Sequence, residues 1–167
     1  MNEIEKLVRQ SEQLRENDRI VDAEDLVRKA LEKYEESWHL YLQLGLILSR
    51  KQEYVEAADA FLTATNLEPE EFWPWLYLGC AQRDLGDYEA AIEAMENAVR
   101  VEIGERELNM AYYYLASYNA LLGRNEEAMD YLRTALENDK SLREWAREDE
   151  DLDSLRNVSG FEFLSES

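Results

Sequence analysis

Residues 38–71 read WHLYLQLGLILSRKQEYVEAADAFLTATNLEPEE, and residues 72–105 read FWPWLYLGCAQRDLGDYEAAIEAMENAVRVEIGE. Laid over each other at a step of 34, they place Tyr41 on Trp75, Leu44 on Leu78, Gly45 on Gly79, Ala57 on Ala91, Phe61 on Met95 and Ala64 on Ala98. The ladder extends in both directions. Ala23 and Ala30 precede it by 34 residues, and Ala128 and Ala135 follow it by 37. Self-similarity at such a period marks a repeat array, in which each unit buries its apolar face only by stacking on its neighbours. The longer last step puts three extra residues within 99–108, where they are expected to interrupt the stacking.

Within a unit the pattern is helical. Tyr41, Leu44, Gly45 and Leu48 are spaced by three, one and three, which sets them on one helix face. A turn at 51–54 leads to a second helix carrying Ala57, Phe61 and Ala64, and Pro69 closes the unit. The third unit repeats this through Gly86, a residue suited to the left-handed conformation that ends helices. The fourth gives Tyr112, Leu115 and Ala116, a turn at Leu122-Gly123, then Ala128, Leu132 and Ala135. Gly45, Gly79 and Ala116 are expected to lie where paired helices approach closely, facing Ala57, Ala91 and Ala128. The aromatic column Tyr41, Trp75 and Tyr112 is expected to fill the space between successive pairs.

These residues resemble the tetratricopeptide repeat family, whose pattern is W-x2-L-G-x2-Y, then A-x3-F, then P, over 34 residues. The resemblance implies an all-α, right-handed solenoid of antiparallel helix pairs with a C-terminal capping helix. Its units are 38–71, 72–105 and 109–142, the last with Ala116 in the glycine column and Lys140 in the proline column. A degenerate first pair at 4–37 keeps Leu7, Leu14, Ala23, Val27 and Ala30, but has Gln10 and Ser11 for Leu-Gly and Asp18 for the turn glycine. Residues 143–167 form the helical cap and tail. Ser141 is expected to cap a short helix with Leu142, Trp145 and Ala146, and Phe161, Phe163 and Leu164 to fold back on the last repeat.

Composition limits the function. Hydrophobic residues make up 46% of 167, so a continuous core is within reach. The net charge of −20 repels phosphate backbones and anionic membrane surfaces, which argues against nucleic-acid and membrane partners and favours basic or amphipathic ones. One cysteine, Cys80, allows no internal disulfide and fits a reducing compartment. The charged start lacks the apolar core of a signal peptide, and no run approaches the ~18 apolar residues of a spanning helix. The expectation is a soluble, cytoplasmic protein.

No catalytic constellation is apparent, and the chain reads as a non-enzyme without cofactor or metal. His39 is the only histidine, so no His-based triad or His-rich zinc site can be built. The glycines lack phosphate-loop spacing. The acidic run at 148–153 has no glycine for a calcium-loop turn and reads as a solvated helix start.

What the resemblance implies is a concave groove lined by the first helix of each pair. Carried onto this sequence, the groove-facing positions are His39, Leu42, Gln43, Leu46, Ser49 and Arg50 in the second unit. They are Trp73, Leu76, Tyr77, Cys80 and Arg83 in the third, and Met110, Tyr113, Tyr114, Ser117 and Ala120 in the fourth. This surface is apolar and aromatic, which suits an apolar or aromatic-rich peptide, with Arg50 and Arg83 offering charge-assisted contacts. The competing reading is that a terminal helix of the chain itself covers the groove. A clamp for acidic chaperone tails is argued against by Val8 and Glu12 at the matching places of the first unit. The expected role is thus a protein-interaction scaffold. The alternatives are a dedicated chaperone of the translocator secretion class, which the stretch 77–83 resembles, and a self-assembling scaffold.

Overall fold

The computed structural model describes residues 2–158 and 161; Phe163 and Leu164, expected in the cap, lie outside them. Among the described residues the chain is all helix and turn. It divides into two compact units between Leu85 and Gly86. The first unit holds α1 (Glu3–Glu16), α2 (Ile20–Leu31), α3 (Trp38–Arg50), α4 (Tyr54–Leu67) and α5 (Phe72–Asp84). The second holds α6 (Tyr88–Arg100), α7 (Glu105–Leu121), α8 (Asn125–Asn138), α9 (Leu142–Glu148) and a 3-10 helix over Glu150–Leu155.

Local chemistry sets the helix boundaries. Asn2 and Glu5 form a capping box on α1: the Asn2 side-chain oxygen accepts from the Glu5 N–H at 2.8 Å, and the Glu5 carboxylate accepts from the Asn2 N–H at 2.9 Å. The turns inside the pairs share one device. Asp18, Gln52, Gly86 and Gly123 occupy one repeat column, and their φ values are 60°, 63°, 80° and 73°. After three of these turns the next residue (Arg19, Glu53, Arg124) donates its N–H five residues back, to Leu14, Leu48 and Asn119. This closes the helix end in the Schellman manner. Asp18 and Gln52 thus hold a conformation that glycine adopts without a Cβ penalty.

Every alanine of the ladder is buried, Ala30 being the most exposed at 7%. Within the first unit α1 packs on α2, α3 on α4, and the pairs meet through α2–α3 and α4–α5. Gly45 sits against the Phe61 ring. A Cβ there would lie 2.6 and 2.7 Å from Phe61 Cδ1 and Cζ. The ring is itself buried, so a methyl at Gly45 could enter only by displacing it. Ser11, in the same column of the first pair, is fully buried and has its hydroxyl bonded to the Val8 carbonyl at 2.9 Å.

In the second unit α6 packs on α7 and α7 on α8. The three extra residues do not break this packing. They lengthen α7 to 17 residues, against 13 in α3 and α5, adding one turn at its start. In the aromatic column, Trp75 donates its indole N–H at 2.8 Å to the Pro69 carbonyl, which closes the preceding pair, while Tyr112 stacks on Tyr131 of its own pair, ring centroids 6.0 Å apart. Leu142, Ala146, Leu152 and Leu155 of the C-terminal segment join Ala116, Ala128, Leu132 and Ala135 in one core, with Phe161 packed against it. Ser141 begins α9 without capping it; its N–H and hydroxyl bond back to Asp139.

Candidate functional site

The first helices of the first unit lie side by side, α1 beside α3 and α3 beside α5. The face they share is where most of the expected groove residues fall. Its α1–α3 seam is polar and closed: Gln43 is buried, accepts from the Ser11 hydroxyl at 3.2 Å and donates to the Glu12 carboxylate at 3.3 Å. Gln43 is therefore a strut between two helices, not a free contact group. Towards the start of these helices the seam opens into a recess of about 460 Å³, lined by Asn2, Ile4, Glu5, Val8, Arg9, Glu12 and His39. The His39 ring stacks on the half-buried Trp38 and is exposed.

Further along the face the character turns aromatic. Trp73 is 39% exposed and lies parallel to Tyr77, ring centroids 6.1 Å apart. Tyr77 also stacks on the buried Phe61 at 5.7 Å, so the core ring supports the surface pair from beneath. Burial, with Cys80 nearby, pushes the Tyr77 phenol up, which keeps it neutral. Leu42, Leu46, Ser49 and Cys80 are half-buried, while Leu76 is buried and does not reach the surface. Arg50 pairs with Asp18 at 3.2 Å and Arg83 with Asp84 at 2.8 Å. These exposed pairs are worth little and would yield to a stronger partner.

In the second unit the corresponding residues meet a different fate. Tyr113 and Ser117 are buried under the C-terminal segment and are not open to a partner. The Tyr113 hydroxyl donates to Asp149 Oδ2 at 2.7 Å, and the Ser117 hydroxyl to the same oxygen at 3.2 Å. Burial first, then the bond to Asp149, holds the Tyr113 phenol far above its ordinary range. Asp149 Oδ1 in turn accepts the Asp151 N–H at 3.0 Å, and the Ser154 hydroxyl reaches the carbonyl of the buried Ala120 at 3.0 Å. Tyr114 stays half-buried, packed edge-on to Tyr113 and tilted against Tyr118; Met110 is also half-buried. Asp149 escapes a reading of the sequence, because it lies in an acidic run that looks purely solvated. Its only signal is proximity to a cap-forming apolar pattern.

The family model described as tetratricopeptide repeat matches residues 9–70 and 76–142. The chain belongs to the tetratricopeptide repeat family. Among solved structures it is similar to MamA, with 24% identity, a TM-score of 0.75, and 86% of this chain and 82% of that one covered. It is also similar to YrrB, described as a tetratricopeptide repeat protein with an unusual peptide-binding site. There the identity is 20%, the TM-score 0.71, and the coverage 95% and 88%. No curated protein matches the chain. At these identities the structural likeness establishes the tetratricopeptide fold, with the helix-pair repeat that the alanine ladder implies. Among the described residues no group of three His, Cys, Asp or Glu side chains is placed to hold a metal ion. No described helix is long and apolar enough to cross a membrane.

Proposed function

We propose that this protein is a non-catalytic interaction module that holds a peptide or protein segment against the α1–α3–α5 face of its first unit. The observation that carries the reading is the Trp73–Tyr77 stack. Two large rings share a face with an open recess, and one of them is 39% exposed. The face is also stiff. Gln43, Ser11 and Phe61 are fixed by hydrogen bonds or burial, so a partner would meet a preformed surface with little ordering cost. The partner chemistry that fits is an apolar or aromatic segment seated on Trp73 and Tyr77. Glu5, Arg9, Glu12 and His39 supply polar contacts at the recess. YrrB, which shares the fold, offers a precedent for peptide binding on it.

The test is selection from a displayed peptide library, followed by titration calorimetry of the selected peptides. Trp73→Ala should weaken them about tenfold or more, as for an aromatic hot spot, and His39→Ala less. Thermal unfolding of both variants should stay near wild type, because these side chains are partly exposed. Selected peptides that bind both variants as tightly as wild type would place the interaction elsewhere.

A further inference from the structure

A second recess, of about 380 Å³, opens in the second unit between α7 and α8, lined by Tyr112, Glu127, Asp130, Tyr131 and Thr134. The two rings lie 22° from parallel. The column of Tyr131 holds Leu26, Ala60 and Ala94 in the other pairs, so the repeat itself does not call for an aromatic here. Burial first, then Glu96 on α6, Tyr112 and Glu127, pushes the Tyr131 phenol up and keeps it protonated. Glu96 has Arg100 at 3.9 Å, a long and exposed pair, and the Thr134 hydroxyl is spent on the Asp130 carbonyl at 2.9 Å. What remains is two ring surfaces rimmed by the Glu127 and Asp130 carboxylates. Electron-rich faces beside fixed negative charge select an organic cation over a neutral or anionic group.

We propose that this recess takes the cationic side chain of a protein partner, a lysine or an arginine, with its apolar stem on the rings and its charge at Glu127 and Asp130. The recess shares no residue with the α1–α3–α5 face, and neither reading depends on the other.

The experiment tracks the ring resonances of Tyr112 and Tyr131 by NMR during titration with capped Gly-Arg-Gly, Gly-Lys-Gly and Gly-norleucine-Gly peptides. Norleucine carries a lysine-like stem without the charge. The arginine and lysine peptides should shift both rings and bind about threefold to tenfold more tightly than the norleucine peptide. The Glu127→Gln/Asp130→Asn double variant should lose that preference, and Tyr131→Ala should lose binding. Tyr131→Ala installs the residue found at Ala60 and Ala94; should it not fold, the double variant at exposed positions still decides. Equal binding of the norleucine peptide, or an unchanged preference in the double variant, overturns the proposal. So does saturable binding that leaves both rings unshifted.

Discussion

The first-helix face of the first unit and the matching face of α7 are written in the same repeat columns, yet the first is more open than the second. Leu42 and Leu76 align with Tyr113, and Leu46 and Cys80 with Ser117. In the first unit Leu42, Leu46 and Cys80 of these columns stay half-buried, and only Leu76 is closed over. In the second, Asp149 binds Tyr113 and Ser117 while Leu152 and Leu155 seal the core beneath. A residue's column therefore fixes its place on the helix but not its access to solvent. Access in the second unit is set by the segment C-terminal to α8, whose Asp149, Leu152 and Leu155 cover this face.

Three substitutions bear on that contrast. Leu152→Ala strikes the cap where it is fully buried and should cost about 2–5 kcal/mol, as a cavity among packed side chains does. The loss should be localised: hydrogen exchange ought to speed up in α7 to α9 and leave α3 protected. Uniform acceleration across both units would mean that the cap supports more than its own pair. Tyr113→Phe keeps the ring and removes the bond to Asp149, and should cost about 1–2 kcal/mol. A urea midpoint unchanged from wild type would show that the cap is held by its apolar residues alone. Gln52→Gly acts in the first unit and should stabilise by about 0.5–1 kcal/mol. It trades a strained left-handed side chain for a residue at ease there, less the extra unfolded-state freedom of glycine. A lower melting temperature would mean that Gln52 makes a compensating contact.

Much of the scaffold was legible because its determinants are local. A small residue in an alanine column is needed wherever two helices meet, and every one of the eight is buried as the spacing requires. Asp18, which the sequence shows only as a departure from the turn glycine, nonetheless takes the left-handed backbone of that column. Gln52 was not legible as a turn residue, since glutamine is no turn signal; only its alignment with Gly86 betrays it. The closure of α7 was legible only as the competing reading, a terminal helix covering the groove; the residues that make it were out of reach for a different reason. It rests on bonds from Tyr113 and Ser117 to Asp149, 36 and 32 residues away, and no periodic pattern encodes a contact of that span. The recess near His39 is lined almost wholly by α1, whose sequence departs most from the repeat pattern, so column identity does not express it.

Asp149 also acts as a ruler. It sits immediately after α9, whose own residues Leu142 and Ala146 are locked into the core. One residue added or removed within α9 would swing its carboxylate by about 100° around the helix axis, away from both hydroxyls. The connection to α7 can therefore absorb many changes of residue type, but none of length.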